Sequence, residues 1–282
     1  MYFLIRTFYG FLPQDVWIAS VFVFFISIIF VYVLILSLCT ANKQHFKRKK
    51  TPQAPNPYYS TYKMVNIFRI LADFSHLMSI IVLIDIIRKT TQIEGISFKT
   101  QTLYAIVYFT RYLDVFMFKK QSFYNFLFKV AFMGTSVYTL YIMKQCARVN
   151  PVSYNDMITK DSFKIRYCLL FAVAMAMMFH YKFSFQQLTW SFSIWLESIA
   201  VIPQLFLIQK LRKADALTAH YIFLLGTYRV LYIPNWIYRY FVEERFEKIS
   251  FFAGLLQTAI YSDFFYIYFT KVADGKDFQL PH

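Results

Sequence analysis

From residue 65 to residue 270 the chain is a succession of seven apolar runs, each about as long as a bilayer's hydrocarbon core is thick. The runs fall at 65–87, 101–118, 123–143, 165–181, 187–208, 217–238 and 249–270. A helix needs about 17–25 mainly apolar residues to cross a membrane. Strands of a membrane barrel would be shorter and would alternate with period two, whereas these runs are continuous. The expected class is an all-α membrane protein. Composition agrees, at 58% hydrophobic residues with a mean hydropathy of +0.43, against about 45–50% apolar in soluble domains.

A further run, WIASVFVFFISIIFVYVLILSLC at 17–39, lies upstream, followed by the basic, proline-bearing linker KQHFKRKKTPQAPNPYYSTYK at 43–63. Its apolar core exceeds the roughly 7–15 residues of a signal peptide, and no small-residue cleavage pattern follows. A membrane anchor is therefore expected. The chain divides into 1–63, an extension with one extra hydrophobic helix, and 64–282, a seven-helix unit opening at Met64. A start assigned upstream of Met64 is the other account of residues 1–63.

The formal charge of +15, from 30 Lys and Arg against 15 Asp and Glu, would suggest nucleic acid in a soluble protein. Here many basic residues sit in short connections between apolar runs, the topological pattern of membrane proteins, so no nucleic-acid partner is expected. Alternate connections hold thirteen Lys and Arg (88, 89, 99, 144, 148, 160, 164, 166, 210, 212, 213, 271, 276) against six (119, 120, 182, 239, 245, 248). That bias puts the carboxyl terminus in the cytosol and Met64 on the far side. The run KRKK at 47–50 then falls on the wrong side if 17–39 spans. Cys39, Cys146 and Cys168 are scattered and suggest neither a disulfide framework nor a metal site.

A faint internal echo relates SIIVLIDIIRK (79–89) to SIAVIPQLFLIQK (198–210), each followed by a helix carrying TRYL (110–113) or TYRVL (227–231). Helices one to three and five to seven thus read as two copies joined by helix four. Repeats of this kind point to a binding site between the halves.

The ionisable residues expected to be buried inside the runs are Arg69, Asp73, His76, Asp85, Arg111, Asp114, Glu197, Arg229, Arg239 and Asp263. A charge at the bilayer centre costs about 2.5–3.5 kcal/mol on insertion scales. Pairing with one another to hold the bundle together is one account of them, and for Asp85 and Asp263 an equal one. The arginines outnumber nearby carboxylates, and a planar guanidinium suits carboxylate recognition. Arg69 and Arg239 lie near helix ends, where snorkelling is an equal account; Arg111 is mid-segment. His76, three residues after Asp73, reads as a satisfied core residue or, if it faces a charged cavity, as a pH switch. The sequence has no HExxH, GxSxG, Walker loop or Cys/His cluster, so neither an enzyme nor a cofactor is expected.

The blocks FRILADFSHL (68–77), GISFKTQ (95–101), FTRYLDVF (109–116), WSFSIWLESIAVIPQLFLI (190–208), HYIFLLGTYRVLYIPNWIYRYFVE (220–243) and AGLLQTAIYSDFFYIYFTKV (253–272) closely resemble the KDEL receptor family. The resemblance covers essentially all of 64–282, and Met64 coincides with the family's usual first residue. It implies a seven-helix bundle like SWEET and PQ-loop transporters, two three-helix halves plus a linking helix, with Pro203–Gln204 as the PQ pair. It implies a multi-pass receptor of Golgi and endoplasmic-reticulum membranes. Such a receptor binds C-terminal tetrapeptide signals of escaped luminal proteins at acidic pH and returns them with vesicle coat machinery.

Residue by residue, the resemblance implies that Arg69, Arg111 and Arg239 engage the peptide's carboxylates, and that Tyr112, Tyr232 and Trp236 bond or pack it. It puts Asp114 and Trp190, with Gln187 beside them, at the peptide's first residue. His76, Glu197 and Tyr228 match the pH-sensing group, and Lys271 and Lys276 the coat-binding tail. Three features depart from the family. Gln187 stands where the family has an acid, His180-Tyr181-Lys182 replaces Asn-His-Asp, and Asp274 and Asp277 stand where lysines are favoured. The alternatives are a PQ-loop-type solute transporter and a paralogue with another ligand.

Overall fold

In the computed structural model the described residues are 67–90, 93, 95–117, 121–211, 213–214, 216–242, 246–267 and 278–279. Among them are ten helices: α1 (Ile67–Thr90), α2 (Phe98–Arg111), α3 (Leu113–Phe116), α4 (Phe123–Val149), α5 (Pro151–Lys160), α6 (Arg166–Met178), α7 (Phe185–Ile199), α8 (Ile202–Leu211), α9 (Ala216–Val242) and α10 (Lys248–Ile267). One two-residue antiparallel pair joins β1 (Lys213–Ala214) to β2 (Phe278–Gln279). The extension 1–63, Lys271, Lys276 and the side chain of Asp263 lie outside the described residues.

Each of the seven apolar runs carries one of these helices or a broken pair of them. Ile67–Thr90, Phe123–Val149 and Phe185–Leu211 are each long and apolar enough to cross a membrane. The chain is an all-α membrane protein. The boundaries follow local chemistry. Helix α2 begins three residues before the apolar run because Ser97 caps it, its hydroxyl accepting from the Thr100 amide at 3.1 Å. It breaks at Tyr112, so the RYLD segment straddles a helix end, with Arg111 in the last turn of α2 and Asp114 in α3. The connection after α4 is itself helical: Asn150 caps α5 and Pro151 opens it. Apolar periodicity gives no hint of that short element.

The packing has an internal symmetry. Helix α4 packs against both α1 and α2, and α10 packs against both α9 and α7. Between these triplets α1 lies along α9 and α2 along α7, while α6 rests on α7. Numbering the helices of each triplet first to third, the third contacts the other two in both. Across the interface, the first helix of each meets the second of the other. The echo between 79–89 and 198–210 is thus matched by equivalent places in the packing.

Polarity is distributed as lipid requires. Phe74, Phe123, Leu170 and Met178 are exposed on the outside, while Asp73, His76, Glu197, Gln204, Arg229 and Gln257 are buried inside. With apolar side chains meeting hydrocarbon, polar groups gather where they find one another. Asp85 is an exception to its sequence reading as buried: it is exposed and pairs with Lys89 one turn on, at 2.8 Å.

The region around the break between α7 and α8 is fastened by a polar clasp. The Gln204 side chain accepts from the Ser97 amide and donates to the Gly95 carbonyl, both at 2.8 Å. The Ser97 hydroxyl donates to Asp161 Oδ2 at 2.8 Å. Burial pushes the Asp161 carboxyl above its usual range, against the lowering effect of hydrogen bonds from Ser97 and Lys99. The clasp ties three connections together and leaves the interior of the bundle to the site.

Candidate ligand-binding site

The centre of the bundle is built on Glu197, whose side chain is only 3% exposed. Its Oε2 lies 2.6 Å from Arg111 Nη1 and 2.8 Å from Arg229 Nη2, while Oε1 accepts from the Tyr228 hydroxyl at 2.8 Å. Helices α2, α7 and α9 each contribute to this cluster, so it joins the two triplets. Two guanidinium groups share one carboxylate, which leaves one positive charge in excess. Arg111 is also held by α7, its Nε donating to the Ser193 hydroxyl at 3.2 Å and its Nη2 to the Ser193 carbonyl at 2.9 Å.

His76 lies against this cluster. Its ring stacks on Tyr228 with centroids 3.9 Å apart and planes 3° from parallel, and its Nε2 is 2.9 Å from the Tyr108 hydroxyl. Gln257 on α10 donates to Tyr228 at 3.2 Å. The rings form a ladder. Tyr112 stacks on Tyr108, Tyr108 touches His76, His76 lies on Tyr228, and Tyr228 meets Tyr232, which in turn meets Trp236.

A second cluster lies where the ladder reaches Tyr232. Asp73 accepts from the Tyr232 hydroxyl at 2.5 Å and the Tyr124 hydroxyl at 2.9 Å, with Arg69 Nε 3.6 Å away. Arg69 also donates to Asn125 at 2.7 Å. Trp236 is held beside Tyr232 by a close approach of α10: a Cβ at Gly254 would stand 2.0 Å from the tip of the indole. Gly254→Ala is accordingly expected to displace the indole and destabilise the protein by about 1–3 kcal/mol, the usual range for overpacking. Thermal unfolding in detergent, followed by tryptophan fluorescence, measures this; an unchanged transition would show that the indole has room to move.

Beside the network opens a cleft of about 470 Å³, whose lining includes Arg111, Tyr112, Asp114, Lys129, Gln187, Trp190 and Glu247. Lys129 on α4 is paired with Asp114 and donates to Gln121 at 2.6 Å. Glu247 holds Arg239 at 3.1 Å.

The cleft therefore brings together five of the expected ligand residues, Arg111, Tyr112, Asp114, Gln187 and Trp190. Arg69, Tyr232 and Trp236 gather at the Asp73 cluster instead, and Arg239 is linked to the cleft through Glu247. His76, Glu197 and Tyr228 are in one network, as expected. Arg111, whose mid-segment place snorkelling does not explain, is here paired with Glu197. Sequence reasoning passed over Lys129, though it is the one charge in FYNFLFKVAFMG (123–134) and carries the signal that singled out Arg111. It also passed over Ser193, one turn before Glu197 on α7, and Tyr108, midway in the stripe Tyr104, Tyr108, Tyr112 at four-residue spacing.

A sequence profile of the family described as ER lumen protein retaining receptor matches residues 92–239. Among curated proteins, the ER lumen protein-retaining receptor of Kluyveromyces lactis is 55% identical over 219 residues, 77% of this chain and 100% of that one. The receptor of the same name from Saccharomyces cerevisiae is 54% identical over 218 residues, 77% of this chain and all of its own length. That of Drosophila melanogaster is 45% identical over 217 residues, again 77% of this chain and 100% of the relative.

Proposed function

The chain belongs to the ER lumen protein retaining receptor family, and on that premise we propose that it is a membrane receptor for the C-terminal retrieval signals of endoplasmic-reticulum luminal proteins. It captures them in the acidic Golgi and carries them back to the endoplasmic reticulum. The observation that carries this reading is Arg111, which lines the cleft while belonging to a network with an excess guanidinium charge. A ligand ending in Asp-Glu-Leu brings three carboxylates, counting its terminus, and the guanidiniums of Arg69, Arg111 and Arg239 are their proposed partners. Charge-assisted bonds of this kind are the strong ones. Tyr112, Tyr232 and Trp236 pack or bond the peptide, and Asp114, Gln187 and Trp190 meet its first residue. Peptides ending in Asp-Glu-Leu should bind the purified protein at acidic pH, and amidation of their terminus should abolish binding. Solute flux through proteoliposomes without peptide binding would favour a transporter instead.

The pH response belongs to His76. Tyr104 and Tyr108 from α2, Tyr228 and Arg229 from α9, Glu197 from α7 and Arg111 face it, with Phe132 of α4 against the ring. The Glu197 carboxylate favours a positive charge on His76, and the two guanidiniums oppose it. Ligand carboxylates favour it, and by reciprocity a protonated His76 favours the ligand. Binding should strengthen as pH falls through the imidazole range, about pH 6.5 for a free histidine. His76→Ala is expected to flatten the rise in affinity between about pH 7 and pH 5.5; an unchanged profile would place the sensor elsewhere.

The receptor unit is proposed to be 64–282, a seven-span bundle, and the relative from Kluyveromyces lactis aligns over the same number of residues. A protein comprising 64–282 should insert and bind peptide like the full chain. Loss of binding on truncation would make the extension a structural part of the receptor. Lys271 and Lys276, beyond the described residues, are the proposed contacts for vesicle coat machinery.

A further inference from the structure

We propose that the end of the bundle opposite the cleft carries a docking surface for the headgroups of anionic phospholipids, in which exposed cations surround the outward face of α5. This is the end that the loop charges assign to the cytosol. The lengths of α4 and α6 separate it from the cleft. Lys129 is near the start of α4 and Tyr181 follows α6, whereas Lys144 and Arg148 lie in the last two turns of α4 and Arg166 opens α6. Helix α4 has 27 residues, which makes it about 40 Å long against a hydrocarbon core of about 30 Å. With the exposed Phe123 at its start in hydrocarbon, its last turns reach past the core into the headgroup layer.

The acids at this end are already engaged. Asp156 pairs with Lys160 at 2.9 Å, and Asp161 is buried in the clasp with Ser97 and Lys99. Lys144, Arg148, Lys164, Arg166 and Lys210 are exposed, and no carboxylate among the described residues pairs with them. Lys210 is held beside the connection from α5 to α6 by neutral acceptors, the Lys160 carbonyl at 3.1 Å and the Ser162 hydroxyl at 3.3 Å. The Arg166 guanidinium lies 5.3 Å from the centre of the exposed Tyr167 ring, an amphipathic ring of the kind that sits at headgroup level. Among these charges are large apolar side chains. Helix α5 turns Ser153 and Met157 inward and leaves Val152 and Ile158 exposed, with Val149 exposed just before it. Membrane topology accounts for cations at this end but not for apolar side chains between them. An acidic protein would match the charge alone; a lipid surface matches both, phosphates for the cations and acyl chains for the valines and isoleucine.

The test uses the full chain in a neutral detergent, with phosphatidylcholine, phosphatidylserine or phosphatidylinositol 4-phosphate added and bound lipid counted by native mass spectrometry. The two anionic lipids should bind at least about tenfold more tightly than phosphatidylcholine, and the preference should shrink as salt rises. Lys164→Gln with Arg166→Gln should weaken anionic binding about 25-fold, roughly fivefold for each cation lost from a membrane surface, and leave phosphatidylcholine unmoved. Lys164→Arg should keep the preference. Val152→Asn with Ile158→Asn, which removes no charge, should weaken anionic binding several-fold. An unchanged thermal transition shows that a variant is folded; where none folds, the lipid and salt dependence of the unaltered protein decide. Equal binding of the three lipids, or folded variants that keep the full preference, would overturn the proposal. So would displacement of lipid by soluble inositol phosphate at equal concentration, the mark of a phosphate site without a lipid surface. An acidic peptide that binds where the lipids do not would make this face a protein contact instead.

Discussion

Glu197→Ala should lower the stability of the bundle by about 3–5 kcal/mol, the cost of breaking a buried ion pair by removing one partner. Its single carboxylate is the counter-ion of both Arg111 and Arg229 and the acceptor for Tyr228. Without it, two guanidiniums remain inside the bundle with their charges uncompensated, at the seam where α2, α7 and α9 meet. Glu197→Gln keeps the shape and one acceptor but not the charge, so its loss should be intermediate. Thermal unfolding in detergent measures both. An anionic peptide should stabilise Glu197→Ala more than the unaltered protein, because it supplies the missing charge. A transition close to the unaltered protein's would show that the carboxylate is not what holds the seam.

Membrane class and the helical runs were legible because lipid imposes one demand on every residue of a spanning segment: its backbone must be bonded internally and its outer face must be apolar. The faint echo between the stretches around TRYL and TYRVL was legible too. Arg111 and Arg229 occupy echoing positions in TRYL and TYRVL, and the structure brings both to Glu197. What the runs could not reveal were the breaks. Tyr112 and the Ala200–Val201 step interrupt stretches that hydropathy reads as continuous, and only local hydrogen bonds decide them. Helix α5 escaped for the opposite reason, being short and too polar to stand out.

At the site, residue type was informative and partnership was not. A charge within an apolar run announces that something must compensate it. Whether the compensation comes from the protein or from a ligand depends on contacts between helices far apart in sequence. Arg111 and Glu197 are 86 positions apart yet share a salt bridge. Asp85, expected to be buried by its place in a run, proves to be a surface partner of Lys89. Lys129 was missed although its signal was the same as that of Arg111. Hydropathy marks such positions without ordering them, and the Lys129–Asp114 pair is visible only once α3 and α4 are placed side by side.

Arg111→Ala should reduce affinity for Asp-Glu-Leu peptides at least about tenfold, since a hydrogen bond to a charged group is worth about 1.5–3 kcal/mol. The loss of stability should be smaller than for Glu197→Ala, because Glu197 keeps Arg229 and Tyr228 as partners. Binding and folding should therefore separate in this variant. Arg111→Lys should also bind poorly. The guanidinium reaches Glu197 with Nη1 and Ser193 with Nε and Nη2 while lining the cleft. An ammonium is a single point charge without that planar fork. It has to choose between the internal carboxylate and the ligand's, and the internal one is already in place. Isothermal titration at acidic pH on folded Arg111→Ala and Arg111→Lys gives the two affinities. Undiminished binding by folded Arg111→Ala would mean that Arg111 serves only the seam, and that the ligand's carboxylates are held elsewhere.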